Sequence, residues 1–129
     1  MDNTFIKILI VDDEAELCEL IKNLLKSHSK DIQCSKCFSA HDALEKLRYD
    51  NFHIVITDIK MPKVNGLELI KAIKNEFNPS PLIYSTTGFS EHEKNVLLQA
   101  GSIEHFKKPE DLEKMVFTII SSVNNLLNK

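Results

Sequence analysis

Five short apolar runs, each followed by a longer amphipathic stretch, constrain this chain more than any other feature of it. Phe5 to Val11 is apolar and rich in β-branched residues, as a strand buried on both faces should be. Residues 15–26 then place Leu17, Leu20, Ile21, Leu24 and Leu25 at helical spacing. A second strand is expected at about 32–38, and Ser39 can cap a helix over 40–49 whose inner side carries Ala43, Leu44 and Leu47. Ile54 to Thr57 is the third strand, and Gly66 opens a helix with Leu67, Leu69, Ile70 and Ile73 on one face. Leu82 to Ser85 is the fourth strand. The next helix, over 90–100, has a capping box of Ser90 and Glu93 and a stop at Gly101. Ile103 to Lys107 is the fifth strand. Pro109 is expected to start a last helix whose stripe runs from Leu112 to Leu127. Strands alternating with helices predict an α/β fold, a doubly wound parallel five-stranded sheet with helices on both faces.

The 129 residues are used up by these five units, so one domain over 1–129 with no output domain is the expectation. A net charge of -3, and a basic set that is all Lys except Arg48, argue against direct nucleic-acid binding. The longest early apolar run is far short of the ~20 residues that span a bilayer, so no membrane insertion and a cytoplasmic location are expected. Cys34 and Cys37 have the spacing of a redox or zinc pair. On a strand, however, residues three apart point to opposite faces. The expectation is one core-facing and one surface-facing thiol, with no disulfide and no zinc.

In parallel sheets of this kind the functional crevice lies outside the carboxyl ends of the strands. The residues there are Asp12, Asp13, Asp58, Thr86 and Lys108. Singly, each has an ordinary reading: the first two as helix caps, Asp58 as a turn former, Thr86 as a strand residue, Lys108 as a surface charge. Together they form a chemical set. Three converging carboxylates repel one another unless a cation neutralises them, and an all-oxygen set with few carboxylates suits Mg2+. One carboxylate can then attack a phosphoryl group to give an aspartyl phosphate, with Thr86 and Lys108 stabilising the phosphoryl oxygens.

These residues sit in segments that resemble a response-regulator receiver domain of two-component or phosphorelay signalling. Ile8-Leu9-Ile10-Val11-Asp12-Asp13-Glu14 is similar to the family's acidic first motif. Asp58 to Gly66, with Met61-Pro62 inside it, resembles the loop after the phosphoacceptor. Tyr84-Ser85-Thr86-Thr87, Gln99-Ala100-Gly101 and Lys107-Lys108-Pro109 match the remaining motifs in order. The resemblance implies a flavodoxin-like sheet of order 2-1-3-4-5. It implies that Asp58 accepts a phosphoryl group from a phosphohistidine of a histidine kinase or histidine phosphotransferase. It implies that Asp12, Asp13, Asp58 and the backbone carbonyl of Lys60 hold Mg2+, and that Thr86 and Lys108 contact the phosphoryl oxygens. It also implies a cis peptide before Pro109 that aims Lys108 inward, a monomer or weak dimer, and an unknown downstream protein that reads the switch.

The sequence departs from the family pattern in four places. His105 stands where the family often has the rotamer-switching Phe or Tyr. It is expected either to act with Thr86 in the switch or to be simply an exposed strand residue. Thr87 occupies a usually smaller position, and Glu110 replaces a frequent aromatic after Pro109. Lys60 and Gly88 occupy variable positions that bear on phosphoryl lifetime. His28, His41, His53 and His92 read as surface or loop residues. Two other functions remain as alternatives: a Mg-dependent phosphohydrolase with an Asp nucleophile, and a receiver-like binding module that works without phosphorylation. A nucleotide- or flavin-binding module is disfavoured because Asp12-Asp13-Glu14 stands where a Gly- or Ser/Thr-rich phosphate loop is needed.

Overall fold

A computed structural model describes residues 5–61, 65–87 and 92–128. The elements alternate as β1 (Ile6–Val11), α1 (Ala15–His28), β2 (Ile32–Cys37), α2 (Ala40–Tyr49), β3 (Ile54–Asp58), α3 (Gly66–Glu76), β4 (Leu82–Thr87), α4 (His92–Ala100), β5 (Glu104–Lys107) and α5 (Leu112–Leu127). All neighbouring strands are parallel, in the order β2-β1-β3-β4-β5.

The period-two alternation of β1 shows why both faces need cover. Ile6, Ile8 and Ile10 enter one core with Cys18, Ile21 and Leu25 of α1 and Met115, Val116, Ile119 and Val123 of α5. Leu9 and Val11 enter the other, with Ala43 and Leu47 of α2, Leu69, Ile70 and Ile73 of α3, and Leu97 of α4. A strand apolar at nearly every position fits only between two helical layers, and β1 lies between β2 and β3.

Several boundaries shift by one to three residues, two of them for a reason the structure shows. The last helix starts at Leu112 rather than at Pro109. The intervening turn is held by Asp111, whose Oδ2 accepts from the Lys107 N–H at 2.9 Å and whose own N–H donates to the Lys107 carbonyl at 2.8 Å. This local closure satisfies the turn's backbone and delays the helix by three residues. The fourth strand runs two residues further than its apolar run, to Thr87, because Thr86 and Thr87 pair with Phe106 and Lys107 of β5. The Ser90–Glu93 capping box lies outside the described residues. Ser39 does cap α2, its side chain accepting from Asp42 N–H at 3.1 Å, and Gly101 ends α4 at a φ of +132°.

The cysteines do lie on opposite faces of β2, but neither thiol is fully exposed. Cys37 is buried in the α2–α3 core and Cys34 packs, half-buried, against the α1–α5 core. Helices cover the edge strand on both sides, which corrects the expectation of a surface-facing thiol. Burial pushes both thiols up to about 11, so they stay protonated and unreactive near neutral pH.

Gly66 is the tightest point of the scaffold. A Cβ there would stand 2.4 Å from the Asp58 carbonyl oxygen and 2.7 Å from Ile59 Cα, both of them main-chain atoms. The Gly66 N–H also donates to the Ile59 carbonyl at 2.8 Å. Gly66→Ala therefore has to displace the strand end that carries Asp58. We expect a loss of about 2 kcal/mol in urea unfolding; an unchanged midpoint would contradict this packing.

Candidate functional site

Four segments from distant parts of the chain meet at the carboxyl edge of the sheet. β1 ends one residue before Asp12, which is 2 % exposed. Asp12 does not cap α1, whose N-cap is Glu14 and carries no side-chain cap bond; it holds the turn that leads into the helix. Its Oδ1 accepts from the Glu14 N–H at 2.9 Å, while its Oδ2 accepts from Lys108 Nζ at 2.9 Å. Cys18 adds a thiol contact of 3.4 Å to the Asp12 carbonyl. Asp13 is exposed at the rim.

Asp58 is the last residue of β3 and is 6 % exposed. Its Oδ1 lies 3.4 Å from Lys108 Nζ and 3.4 Å from the Lys60 amide nitrogen, which donates to it. Asp58 is in register with Thr86 on β4, and the Ile59 N–H donates to the Thr86 carbonyl at 2.9 Å. Thr86 and Thr87 are both buried. The Lys108 N–H donates to the Thr87 carbonyl at 2.9 Å, and the Lys108–Pro109 peptide is cis, as the resemblance implied. Lys108 points inward, its side chain 15 % exposed. Glu110 is exposed, and the turn around it is held by Asp111 rather than by an aromatic. Lys60 is exposed, and Gly88 lies outside the described residues.

Among the described residues, Asp12, Asp13 and Asp58 can each offer one carboxylate oxygen with all three atoms within 4.8 Å of one another. Charge crowding has a measurable signature. Burial, and then the charge of Asp12, push the Asp58 carboxyl up to about 6 against the pull of Lys108. Burial alone would lower Lys108, but its hydrogen bond to Asp12 and the charges of Asp12 and Asp58 outweigh this and hold it above the usual lysine range. One ammonium faces three carboxylates, so the pocket keeps an excess of negative charge. The donor set is oxygen only, which fits a small hard cation such as Mg2+.

Of the histidines expected outside the site, His28, His41 and His53 lie away from it, and the side chain of His92 is outside the described residues. His28 stacks near Phe117, with ring centroids 5.8 Å apart. His41 lies 3.6 Å from Glu45, and His53 Nδ1 accepts from the Lys7 N–H. His105 is different: it is 8 % exposed, which overturns its reading as an exposed strand residue. Its Nδ1 lies 2.8 Å from Ser85 Oγ, and Ser85 Oγ lies 2.8 Å from Ser102 Oγ. Sequence reading missed Ser85, Ser102 and Cys18. Serine at a strand position carries no periodic signal, and only the parallel register of β4 with β5, which sets Ser85 opposite His105, brings the first of them into view. Among the described residues, no helix is long and apolar enough to cross a membrane.

Comparison with known proteins gives a consistent picture. A family profile described as "Response regulator receiver domain" matches residues 8–120. The transcriptional regulatory protein ZraR of Salmonella typhimurium is 33% identical over 115 residues, covering 88% of this chain and 25% of ZraR. The transcriptional regulatory protein CrdR of Helicobacter pylori is 31% identical over 110 residues, covering 84% of this chain and 51% of CrdR. The chain thus spans between a quarter and a half of the length of these curated relatives. Among solved structures, the response regulator TrrA of Thermotoga maritima, in complex with Mg(2+)-BeF, superposes with a TM-score of 0.79 at 26% identity, covering 91% of this chain and 98% of that one.

Proposed function

The chain belongs to the response regulator receiver domain family, and from that premise we propose that Asp58 is its phosphoryl acceptor and that Lys108 and Thr86 complete the reacting site. The observation that carries this is the buried Asp58 carboxylate lying within reach of both the Asp12 and Asp13 carboxylates and the Lys108 ammonium. A carboxylate oxygen of Asp58 attacks the phosphorus of a phosphohistidine. The new O–P bond forms as the N–P bond breaks, and the electron pair leaves on the imidazole nitrogen, which then takes a proton. Asp58 must be ionised to attack, so its value of about 6 leaves it mostly competent at neutral pH. Lys108 already bridges Asp12 and Asp58 and is positioned to follow the negative charge onto the phosphoryl oxygens.

The acidic donor set fits Mg2+, with Asp12, Asp13, Asp58 and the Lys60 carbonyl as its holders. When bound, Mg2+ supplies charge neutralisation at the phosphoryl oxygens. TrrA's complex with Mg(2+)-BeF supports this reading. The added phosphoryl charge then draws the Thr86 hydroxyl and biases an equilibrium between two conformations of the β4–β5 edge.

In this reading the chain is a switch rather than a turnover enzyme. It acts in the cytoplasm, receives phosphoryl from a histidine kinase or histidine phosphotransferase, and presents a changed surface to a downstream protein. ZraR and CrdR are named transcriptional regulatory proteins. With a net charge of -3 and a single Arg, this chain carries the switching step and not the reading of DNA.

The test is intact mass after incubation with Mg2+ and a small phosphodonor. One added phosphoryl group is expected, absent in Asp58→Asn and absent with chelator. Repeated hydrolysis of a small phosphate ester without a stable adduct would instead favour a phosphohydrolase.

A further inference from the structure

Three buried polar side chains outside the acidic pocket form a hydrogen-bonded chain with a definite direction. Ser102 Oγ lies 2.8 Å from the Glu104 carbonyl oxygen, which can only accept, so Ser102 donates there. A hydroxyl carries one hydrogen. Ser102 must therefore accept in its 2.8 Å contact with Ser85, and Ser85 must donate. The hydrogen of Ser85 is then engaged, so in its 2.8 Å contact with His105 Nδ1 the hydroxyl oxygen accepts and the ring nitrogen donates. The chain runs His105 Nδ1–H to Ser85 to Ser102 to the Glu104 carbonyl. It fixes the neutral ring as the Nδ1–H tautomer, with its lone pair on Nε2, an atom with less than 1 Å² of exposure.

We propose that Ser85 and Ser102 form a hydroxyl latch that holds His105 inside the protein whether or not Asp58 carries a phosphoryl group. This rests on Asp58 being the phosphoryl acceptor and describes how that site is read out. The anchors of the latch are independent of the acidic pocket. The Ser102 N–H donates to the Leu97 carbonyl at 3.0 Å, at the end of α4, and its hydroxyl is tied to β5. Ser85 is flanked by β3 and β5, opposite Thr57 and His105. Its side chain leaves β4 on the face opposite to that of Thr86, because neighbouring strand residues alternate. A rotation of the Thr86 side chain towards a phosphoryl group thus leaves the Ser85–His105 contact in place. The β5 face shown to a partner then does not change by rotation of the ring.

Two measurements on the unphosphorylated protein test the latch directly. Ring-nitrogen NMR at about pH 8, above the ordinary histidine range, should show His105 as the Nδ1–H tautomer. Diethyl pyrocarbonate labelling, read by peptide mass, should modify His105 at least ~5-fold more slowly than the exposed His41, since one hydrogen bond of ordinary net strength shifts an in–out balance by about that factor. Adding Mg2+ and beryllofluoride should leave His105 equally protected. Ser85→Ala should remove the tautomer preference and raise His105 labelling about fivefold; Ser102→Ala, which removes the next link, should do so more weakly. An Nε2–H tautomer in the wild type, labelling as fast as that of His41, or exposure that appears only with beryllofluoride would each overturn the latch. The tautomer and Ser85→Ala measurements need no phosphoryl group. A failure of Asp58 to accept phosphoryl is read separately by intact mass.

Discussion

Asp58→Asn is expected to make the metal-free protein more stable, not less, while abolishing phosphoryl acceptance. Asp58 titrates near 6 in the folded chain against 3.8 for the free group, with burial the first cause and the Asp12 charge the second. An acid whose folded-state value is raised binds its proton more tightly when folded. The folded state is therefore favoured below 3.8 and loses that advantage as pH climbs through about 6. Above that range the ionised Asp58 costs about 3 kcal/mol. In chelator at neutral pH, Asp58→Asn should melt roughly 10 °C above the wild type. The gap should shrink as pH falls through 6 and vanish below 4. Melting curves across this range check the claim, and equal midpoints at neutral pH would show that the acidic pocket stores no such repulsion. Mg2+ should narrow the gap from the other side, because it stabilises only the wild type strongly.

Lys108→Met should carry the largest cost of any substitution at the site. It leaves Asp12 and Asp58, 2 % and 6 % exposed, facing each other with no ammonium between them. Breaking a buried pair by removing one partner leaves an uncompensated charge. With some access to solvent through the rim, a loss of about 2–3 kcal/mol is expected in chelator. The loss should be greatest above the titration range of Asp58 and should be largely reversed by Mg2+, which supplies the missing positive charge. Phosphoryl acceptance should stay slow even with saturating Mg2+, by on the order of a hundredfold, because the lysine's contact with the phosphoryl oxygens is not replaced. A variant that regained full rate with Mg2+ would show Lys108 to be a structural counter-ion only.

Much of this was legible in the sequence, and the reasons are specific. Strands such as Ile54–Val55–Ile56 and helices such as α3 announce themselves through apolar spacing, and a parallel sheet converts strand ends into a site. Asp12, Asp13, Asp58 and Lys108 were named on that ground, and they converge. What failed were features decided by local hydrogen bonding or by depth. Pro109 reads as a helix start, but Asp111 turns back onto Lys107 first. Cys34 and Cys37 read as one core-facing and one surface-facing thiol because β2 is polar at Gln33, Ser35 and Lys36, yet α1 packs on β2 and Cys34 is half-buried against that core. Ser85 and Ser102 are 17 residues apart and mean nothing separately. Their contact exists only because β4 and β5 lie side by side.

The ion pair between Lys108 and Asp12 joins residues 96 positions apart. During synthesis this separation becomes a delay. At about 5–20 residues per second, β1 waits on the order of 5–20 s before its counter-charge is made. For about the second half of that interval Asp12, Asp13 and Asp58 have all been made and the lysine that follows β5 has not. The acidic edge of the sheet can close in its final form only after all five strands have been translated. The lysine that pairs with Asp12 and Asp58 in the finished protein is thus the last charged member of the pocket to leave the ribosome.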